Sequence, residues 1–168
     1  MISEKMQVAL NEQLNKELFS SYLYMAMEAY FEDNNFTGMA NWMKQQAEEE
    51  HIHATKLFDF IIKVGSRVRL KALDEPQSEW DSPKAAFQAA YEHEQFISKS
   101  INDLLDLAID ERDHATSTFL HWYVDEQVEE EANAAEIVRN LEMVEDSKGG
   151  LFLVDRELGS RPAPTPVV

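Results

Sequence analysis

The sequence predicts an all-α domain: a four-helix bundle with one long crossover and a short fifth helix at the C-terminal end. Three observations lead there. Glycine and proline are scarce, at five each in 168 residues, and they cluster between long uninterrupted stretches. The interiors of 4–32, 36–63, 84–111 and 115–144 hold one glycine, Gly38, and no proline. Apolar residues in those stretches recur three and four positions apart, the period of a helix with one buried face. The third observation is a segment, 64–83, with no helical period at all.

The first helix, 4–32, ends at "DNNFTG", which breaks it from the second, 36–63. Each of the four is about 28 residues, roughly 42 Å at 1.5 Å per residue. Segment 64–83 is long for a loop in a compact domain, which argues for a special job. Fully extended it reaches roughly 66 Å, enough to run the length of the bundle if the second and third helices are parallel. Two antiparallel hairpins joined by this crossover are therefore the consistent topology. "DERDHATST" links the third helix, 84–111, to the fourth, 115–144, with Thr116 or Ser117 as N-caps. "EDSKGG" ends the fourth helix, and Gly149 and Gly150 suit a helix C-terminus. "GLFLVDREL" reads as the short fifth helix. The alternating prolines of "SRPAPTPVV" predict an extended, mobile tail over about 160–168 of a single domain 1–168.

Apolar residues make up 44% of the chain and charged residues 28%, ordinary values for a globular domain. The absence of cysteine excludes disulfides and thiolate metal sites. No apolar run reaches the ~18 residues of a membrane span, and "MISEKMQVALNEQ" has no apolar leader core, so a cytoplasmic protein is expected. Net charge is −17, from 32 acidic and 15 basic residues, which disfavours nucleic acid and anionic membrane as partners. Such acidity serves either cation binding or plain solubility.

Polar residues interrupt the inward stripes. The stripes are Met6, Leu10, Gln13, Glu17, Ser21, Tyr24; Met39, Met43, Gln46, Glu50, His53, Leu57, Ile61; Phe87, Tyr91, Glu94, Ile97, Ile101, Leu104; and Leu120, Tyr123, Gln127, Glu130, Ala134, Ile137, Leu141. Each has a carboxylate, amide or imidazole near its midpoint, so four adjacent helices bring these groups to one level. Glu17 and Glu50 stand 33 apart, as do Glu94 and Gln127; Glu50-x-x-His53 is answered by Gln127-x-x-Glu130. Residues three apart share a helix face, so each pair converges. Unpaired buried carboxylates cost several kcal/mol or take up protons, and a divalent cation removes that cost. Oxygen and imidazole donors without thiolate suit Fe or Mn, with Zn possible. A lone Glu-x-x-His means little; two halves at matched spacing mean a metal centre.

At these residues the chain resembles the bacterial non-haem ferritins over essentially its whole length. "NEQLNKELFSSYLY", "EEEHIH", "YEHEQFI" and "FLHWYVDEQVEEE" carry the resemblance, with "GLFLVDREL" as the terminal helix. It implies a ferritin-like bundle, and a subunit of a hollow 24-subunit homo-oligomeric cage that oxidises Fe(II) with dioxygen or hydrogen peroxide and stores Fe(III) mineral. It implies Glu17, Glu50 and His53 as ligands of a first iron. Glu50 would bridge to a second iron, with Glu94 and Glu130 as further ligands and Gln127 close by. Glu49, Glu126, Glu129 and Glu130 match a third, outer iron site. Tyr24 matches a tyrosine beside the centre and Trp122 an aromatic neighbour, either of which could supply an electron. Glu126, Glu129 and Glu130 also lie three and four apart, so spacing alone places them on one helical face, which could equally be a solvated one.

One departure separates relatives. Bacterioferritins repeat Glu-x-x-His on the fourth helix and carry a haem-binding Met after the second-helix Glu. Here the fourth helix has Gln127-x-x-Glu130 and His51 follows Glu50, so haem is not expected. His51 and His93 fall one position off the inward stripes and read as surface histidines. Two other readings stay open on the residues: a rubrerythrin-type di-iron oxidoreductase or peroxidase, whose cysteine module is absent here, and a non-catalytic metal-binding bundle. The first helix is apolar on more than one face at "LFSSYLYMAMEAYF", more than a four-helix core needs, which predicts a subunit interface.

Overall fold

The computed structural model describes residues 2–165. Five helices are present among them: α1 (Glu4–Asp33), α2 (Thr37–Lys63), α3 (Pro83–Asp110), α4 (His114–Met143) and α5 (Lys148–Leu158). Their ends lie within two residues of the predicted ones. Lys16 pairs with Ser100 and Tyr24 with Glu94, while Gln46 pairs with Glu130 and Tyr123 with the His53 carbonyl. Met27 and Phe31 gather with Met39, and Met6 and Leu10 gather with Ile61, so α1 runs antiparallel to α2 and α3, and α2 antiparallel to α4. Consequently α2 and α3 are parallel, and the crossover must travel the bundle's length. Residues 161–165 carry no helix or strand, and 166–168, part of the expected mobile tail, lie outside the described residues.

Local chemistry sets each boundary. Ser3, Ser82 and Ser147 cap α1, α3 and α5 by accepting N–H bonds from Met6, Ala85 and Gly150. The cap of α4 is Asp113, not Thr116 or Ser117; its carboxylate accepts the Thr116 N–H at 3.1 Å and the Thr116 hydroxyl at 2.5 Å. A carboxylate at the positive end of a helix outcompetes a hydroxyl one turn later. Gly149 and Gly150 also depart from expectation. They open α5 rather than close α4, and a Cβ on Gly150 would sit 2.7 Å from Val144 Cγ1. Three helices end in Schellman turns with a left-handed residue: Asn35 (φ 62°), Gly65 (φ 77°) and Arg112 (φ 58°). In each the following N–H reaches back to the helix, as Phe36 does to Phe31 O at 2.9 Å.

The crossover is strapped to α1 by two buried asparagines. Asn11 donates to Arg67 O and accepts from Arg69 N, and Asn15 donates to Arg69 O and accepts from Lys71 N, all within 3.1 Å. An extended segment with no neighbouring strand thus gains side-chain partners for its backbone groups.

The core has two apolar halves. One gathers Tyr24, Met27, Phe31, Met39, Met43, Phe87 and Leu141; the other gathers Met6, Leu10, Leu57, Ile61, Ile101, Leu104 and Leu120. Every predicted stripe residue is buried except Ser21 and Tyr91, which are half-buried. The layer between the halves is polar, and it is buried too. Among the described residues no helix is long and apolar enough to cross a membrane.

Candidate metal centre

Between the two apolar halves lie Gln13, Glu17, Gln46, Glu50, His53, Glu94, Gln127 and Glu130, none more than 4% exposed. Helical spacing puts them there: each sits on the same stripe as the leucines and methionines of its helix, at the level where the bundle is half-way along. Ligand atoms of Glu17, Glu50 and His53 lie within 4.8 Å of one another, and so do those of His53, Glu126 and Glu130. His53 therefore faces two carboxylate groups, with Nδ1 3.5 Å from Glu50 and Nε2 4.0 Å from Glu126. Sequence reasoning paired it with Glu17 and Glu50 alone.

Three buried atoms here have no hydrogen-bond partner: Glu17 Oε2, His53 Nδ1 and His53 Nε2. Leaving such atoms unpaired costs about 1–3 kcal/mol each. All three are good ligands for a divalent cation of intermediate hardness, so the donor set fits Fe(II). Burial pushes Glu17 well above its ordinary 4.5, and the neighbouring Glu50 charge adds to the rise. Burial, then Glu94, does the same to Glu50; burial, then Glu94 and Glu50, to Glu130. Glu94 is raised by burial against the opposing hydrogen bonds of Tyr24 and Gln127. Without metal the cluster takes up protons more readily than exposed carboxylates do; an incoming cation would compete with them.

The remaining predicted residues divide. Tyr24 donates its hydroxyl to Glu94 Oε1, and Gln127 donates to Glu94 Oε2 at 3.0 Å, so Glu94 is engaged rather than grouped with Glu17, Glu50 and His53. Trp122 stands edge-on to His53, ring centroids 5.3 Å apart. Of the outer four, Glu126 and Glu130 share the His53 group; Glu49 is partly exposed and paired with Arg161, and Glu129 is exposed. Both charges are nonetheless close enough to help raise Glu126, whose main cause is burial. His51 is exposed as expected. His93 is half-buried rather than freely exposed: it packs against Phe19, Tyr24 and Phe96, with Nε2 2.8 Å from Ser20 Oγ. Burial lowers its pKa to about 4, so it is neutral at pH 7. Its position beside the stripe meets α1 on one side, because α1 and α3 pack together there.

Several functional neighbours escaped assignment. Gln13 donates to Glu17 Oε1 at 2.7 Å; its own oxygen accepts from Ser100 at 2.5 Å, and Ser100 accepts from Lys16 at 2.5 Å. Gln46 donates to Glu130 Oε2 at 2.8 Å and to Glu50 Oε1 at 3.3 Å. Tyr123 donates to the His53 carbonyl at 2.7 Å. A signal for the glutamines did exist: each stands four residues before its glutamate, and they too are 33 apart. Arg161, far away in sequence, offered none.

The ferritin-like domain model matches residues 7–144. The chain is 44% identical to the bacterial non-heme ferritin of Bacteroides fragilis strain 638R over 161 residues, 96% of this chain and 100% of that protein. It is 38% identical to the bacterial non-heme ferritin of Escherichia coli O6:H1, over 95% of this chain and 97% of that one. Among solved structures, the open-pore ferritin of the hyperthermophilic archaeon Archaeoglobus fulgidus superposes with a TM-score of 0.95 at 50% identity, covering 96% of this chain and 98% of that one.

Proposed function

The chain belongs to the ferritin family of iron-storage proteins, and from that premise we propose that it oxidises the iron it stores. Fe(II) is the substrate, dioxygen or hydrogen peroxide the oxidant, and Fe(III) mineral the product, kept inside a homo-oligomeric cytoplasmic cage. The observation that carries this reading is the convergence of Glu17, Glu50 and His53 with three buried, unpartnered ligand atoms.

Glu17, Glu50 and His53 hold the first Fe(II). Glu50, shared, holds the second with Glu94 and Glu130, and Gln127 steadies Glu94. Protons kept by the raised carboxylates leave as iron enters. Each Fe(II) gives up one electron. Two ions held together deliver both electrons to one dioxygen, which takes two protons and leaves as hydrogen peroxide. If peroxide is the oxidant, the same two electrons and two protons give two waters. No one-electron oxygen radical is released either way. Anionic oxygen ligands favour the harder Fe(III) and help drive the step. The second ion has no imidazole of its own and is held less firmly, which suits a product that must move on to the cavity. Glu49, Glu126, Glu129 and Glu130 form the outer site through which it passes, with His53 facing Glu126 and Glu130 from the inner side.

Exposed apolar residues on α1, Tyr22 at 44% and Met25 at 54%, support the assembled state. The test joins sizing with aerobic Fe(II) titration. A species of many subunits, fast oxidation without organic substrate, and a soluble mineral are expected. Glu17→Ala should assemble but lose rapid oxidation. A monomer or dimer at micromolar concentration, or wild-type oxidation by Glu17→Ala, would overturn the proposal.

A further inference from the structure

Arg161 follows the last helix, yet its side chain reaches back to α2. One guanidinium nitrogen lies 2.5 Å from Glu49 Oε2; another donates to Gln46 Oε1 at 2.7 Å and to Trp42 O at 3.3 Å. The plane stacks on Trp42, 4.4 Å from the ring centroid. Asn41 fastens the backbone by donating to Arg161 O at 3.1 Å. A cleft of about 300 Å³ between α2, α4 and α5 has Trp42, Asn133, Ile137 and Arg161 in its wall. These are many fixed contacts for a residue in a proline-rich tail.

The consequence runs inward through Gln46. An amide has one acceptor oxygen and one donor nitrogen. Because Arg161 takes the oxygen, the nitrogen must face Glu50 and Glu130, where it is found. Without Arg161 the amide could turn over and present its oxygen to two carboxylates. On the outer side the guanidinium is paired with Glu49, a residue close enough for its charge to act on Glu126 and Glu130.

We propose that Arg161 is a positioning residue of the metal centre. It fixes the Gln46 amide towards Glu50 and Glu130, and it occupies Glu49 as a tethered counter-ion that a metal at the outer site must displace. The second half rests on the proposed outer site; the first half does not. The bidentate fork matters, since an ammonium is a point charge and does not span Gln46 and Glu49 with fixed geometry. Metal arriving at Glu49 thus removes one anchor of Arg161 and loosens residues 159–161, and the return of the guanidinium helps expel the metal.

The test uses assembled, iron-free protein and Co(II) or Zn(II) alone. Calorimetric titration of wild type, Arg161→Ala, Arg161→Lys and Glu49→Gln separates inner from outer binding. Arg161→Ala should raise outer-class affinity by about twofold to fivefold, the range for loss of a partly exposed ion-pair competitor. Arg161→Lys should fall between. The visible absorption of Co(II) at the inner site should change in Arg161→Ala and, less, in Arg161→Lys, because the Gln46 amide is released. Hydrogen exchange of the Ser160–Arg161 segment should speed up when Zn(II) saturates wild type, and should be fast from the start in Glu49→Gln. If Glu49→Gln loses the outer class but Arg161→Ala leaves its affinity unchanged or lower, the counter-ion role is wrong and the outer site stands. If Glu49→Gln keeps every class, the outer site and that role fall together. An inner Co(II) spectrum unaltered in Arg161→Ala overturns the positioning role on its own.

Discussion

Glu17 is held by one oxygen and free at the other: Gln13 donates to Oε1, and Oε2 has no partner. That asymmetry turns a buried carboxylate into a pre-aimed ligand. Gln13 is itself fixed, since Ser100 donates to its oxygen and Lys16 donates to Ser100. Replacing Gln13 with Leu keeps approximate volume and removes the donor that orients Glu17. Supporting groups of this kind typically contribute about 10–100-fold to metal affinity, so Gln13→Leu should weaken first-site Co(II) binding by about that much. Titration calorimetry on the apo protein reads it, and an affinity within twofold of wild type would remove Gln13 from the site's support. The buried cluster of candidate ligands was legible because the 33-residue interval and the three-residue step repeat in both halves. Their supports were not, because an amide on an apolar stripe has several structural explanations and the sequence does not say which neighbour it meets. His93 shows the same limit from the other side. One position off a stripe usually faces water, but here α1 covers it in part.

The helices were legible as elements and their ends less so. Three Schellman turns place a left-handed residue at Asn35, Gly65 and Arg112; glycine and asparagine favour that conformation, but arginine does not and Arg112 gave no sign of it. Gly38 is the plainest case of a residue whose reason lies elsewhere. In an isolated helix, alanine would improve on glycine by roughly 1 kcal/mol. In the folded chain a Cβ there would lie 1.6 Å from Asp155 O, a backbone atom of α5. Asp155 also accepts the Met39 N–H at 2.9 Å, serving α2 as an N-cap in place of Phe36, whose side chain makes no cap bond. Gly38→Ala should therefore destabilise despite the gain in propensity. It should detach α5, remove the cap, and cost on the order of 1–3 kcal/mol. Hydrogen exchange would show 148–158 losing protection while α1 and α3 keep theirs. Unchanged protection of α5 would mean the two backbones can separate cheaply. Asn11 and Asn15 make the same point for the crossover. Its length announced its path, but nothing in its own residues named the two side chains on α1 that hold it.

At the scale of the whole molecule, the buried charge layer should govern how stability responds to pH. Glu17, Glu50, Glu94 and Glu130 are all raised above 4.5, chiefly by burial. Above that pH the unfolded chain releases these protons while the folded, metal-free core retains them. The native state then binds more protons, so stability falls as pH rises from about 4.5 through the raised values and is recovered on acidification. Surface repulsion in a chain of net charge −17 pushes the same way, so the trend alone does not identify the core. Two comparisons do. Zn(II) bound at the centre keeps the carboxylates ionised and competes with protons, so in Zn(II)-loaded protein the dependence should reverse, with the apparent Tm rising from pH 5.5 to 7.5. Glu17→Gln removes one core proton site and leaves the surface almost unchanged. Its metal-free form should lose less stability than wild type over the same interval, and near pH 7.5 its apparent Tm should equal or exceed that of wild type, each 1 kcal/mol being worth about 2–4 °C. Scanning calorimetry in chelator and in Zn(II) provides both comparisons. If Glu17→Gln and wild type shared one slope in chelator, surface charge would account for the whole effect. The buried layer would then be coupled to stability through metal alone.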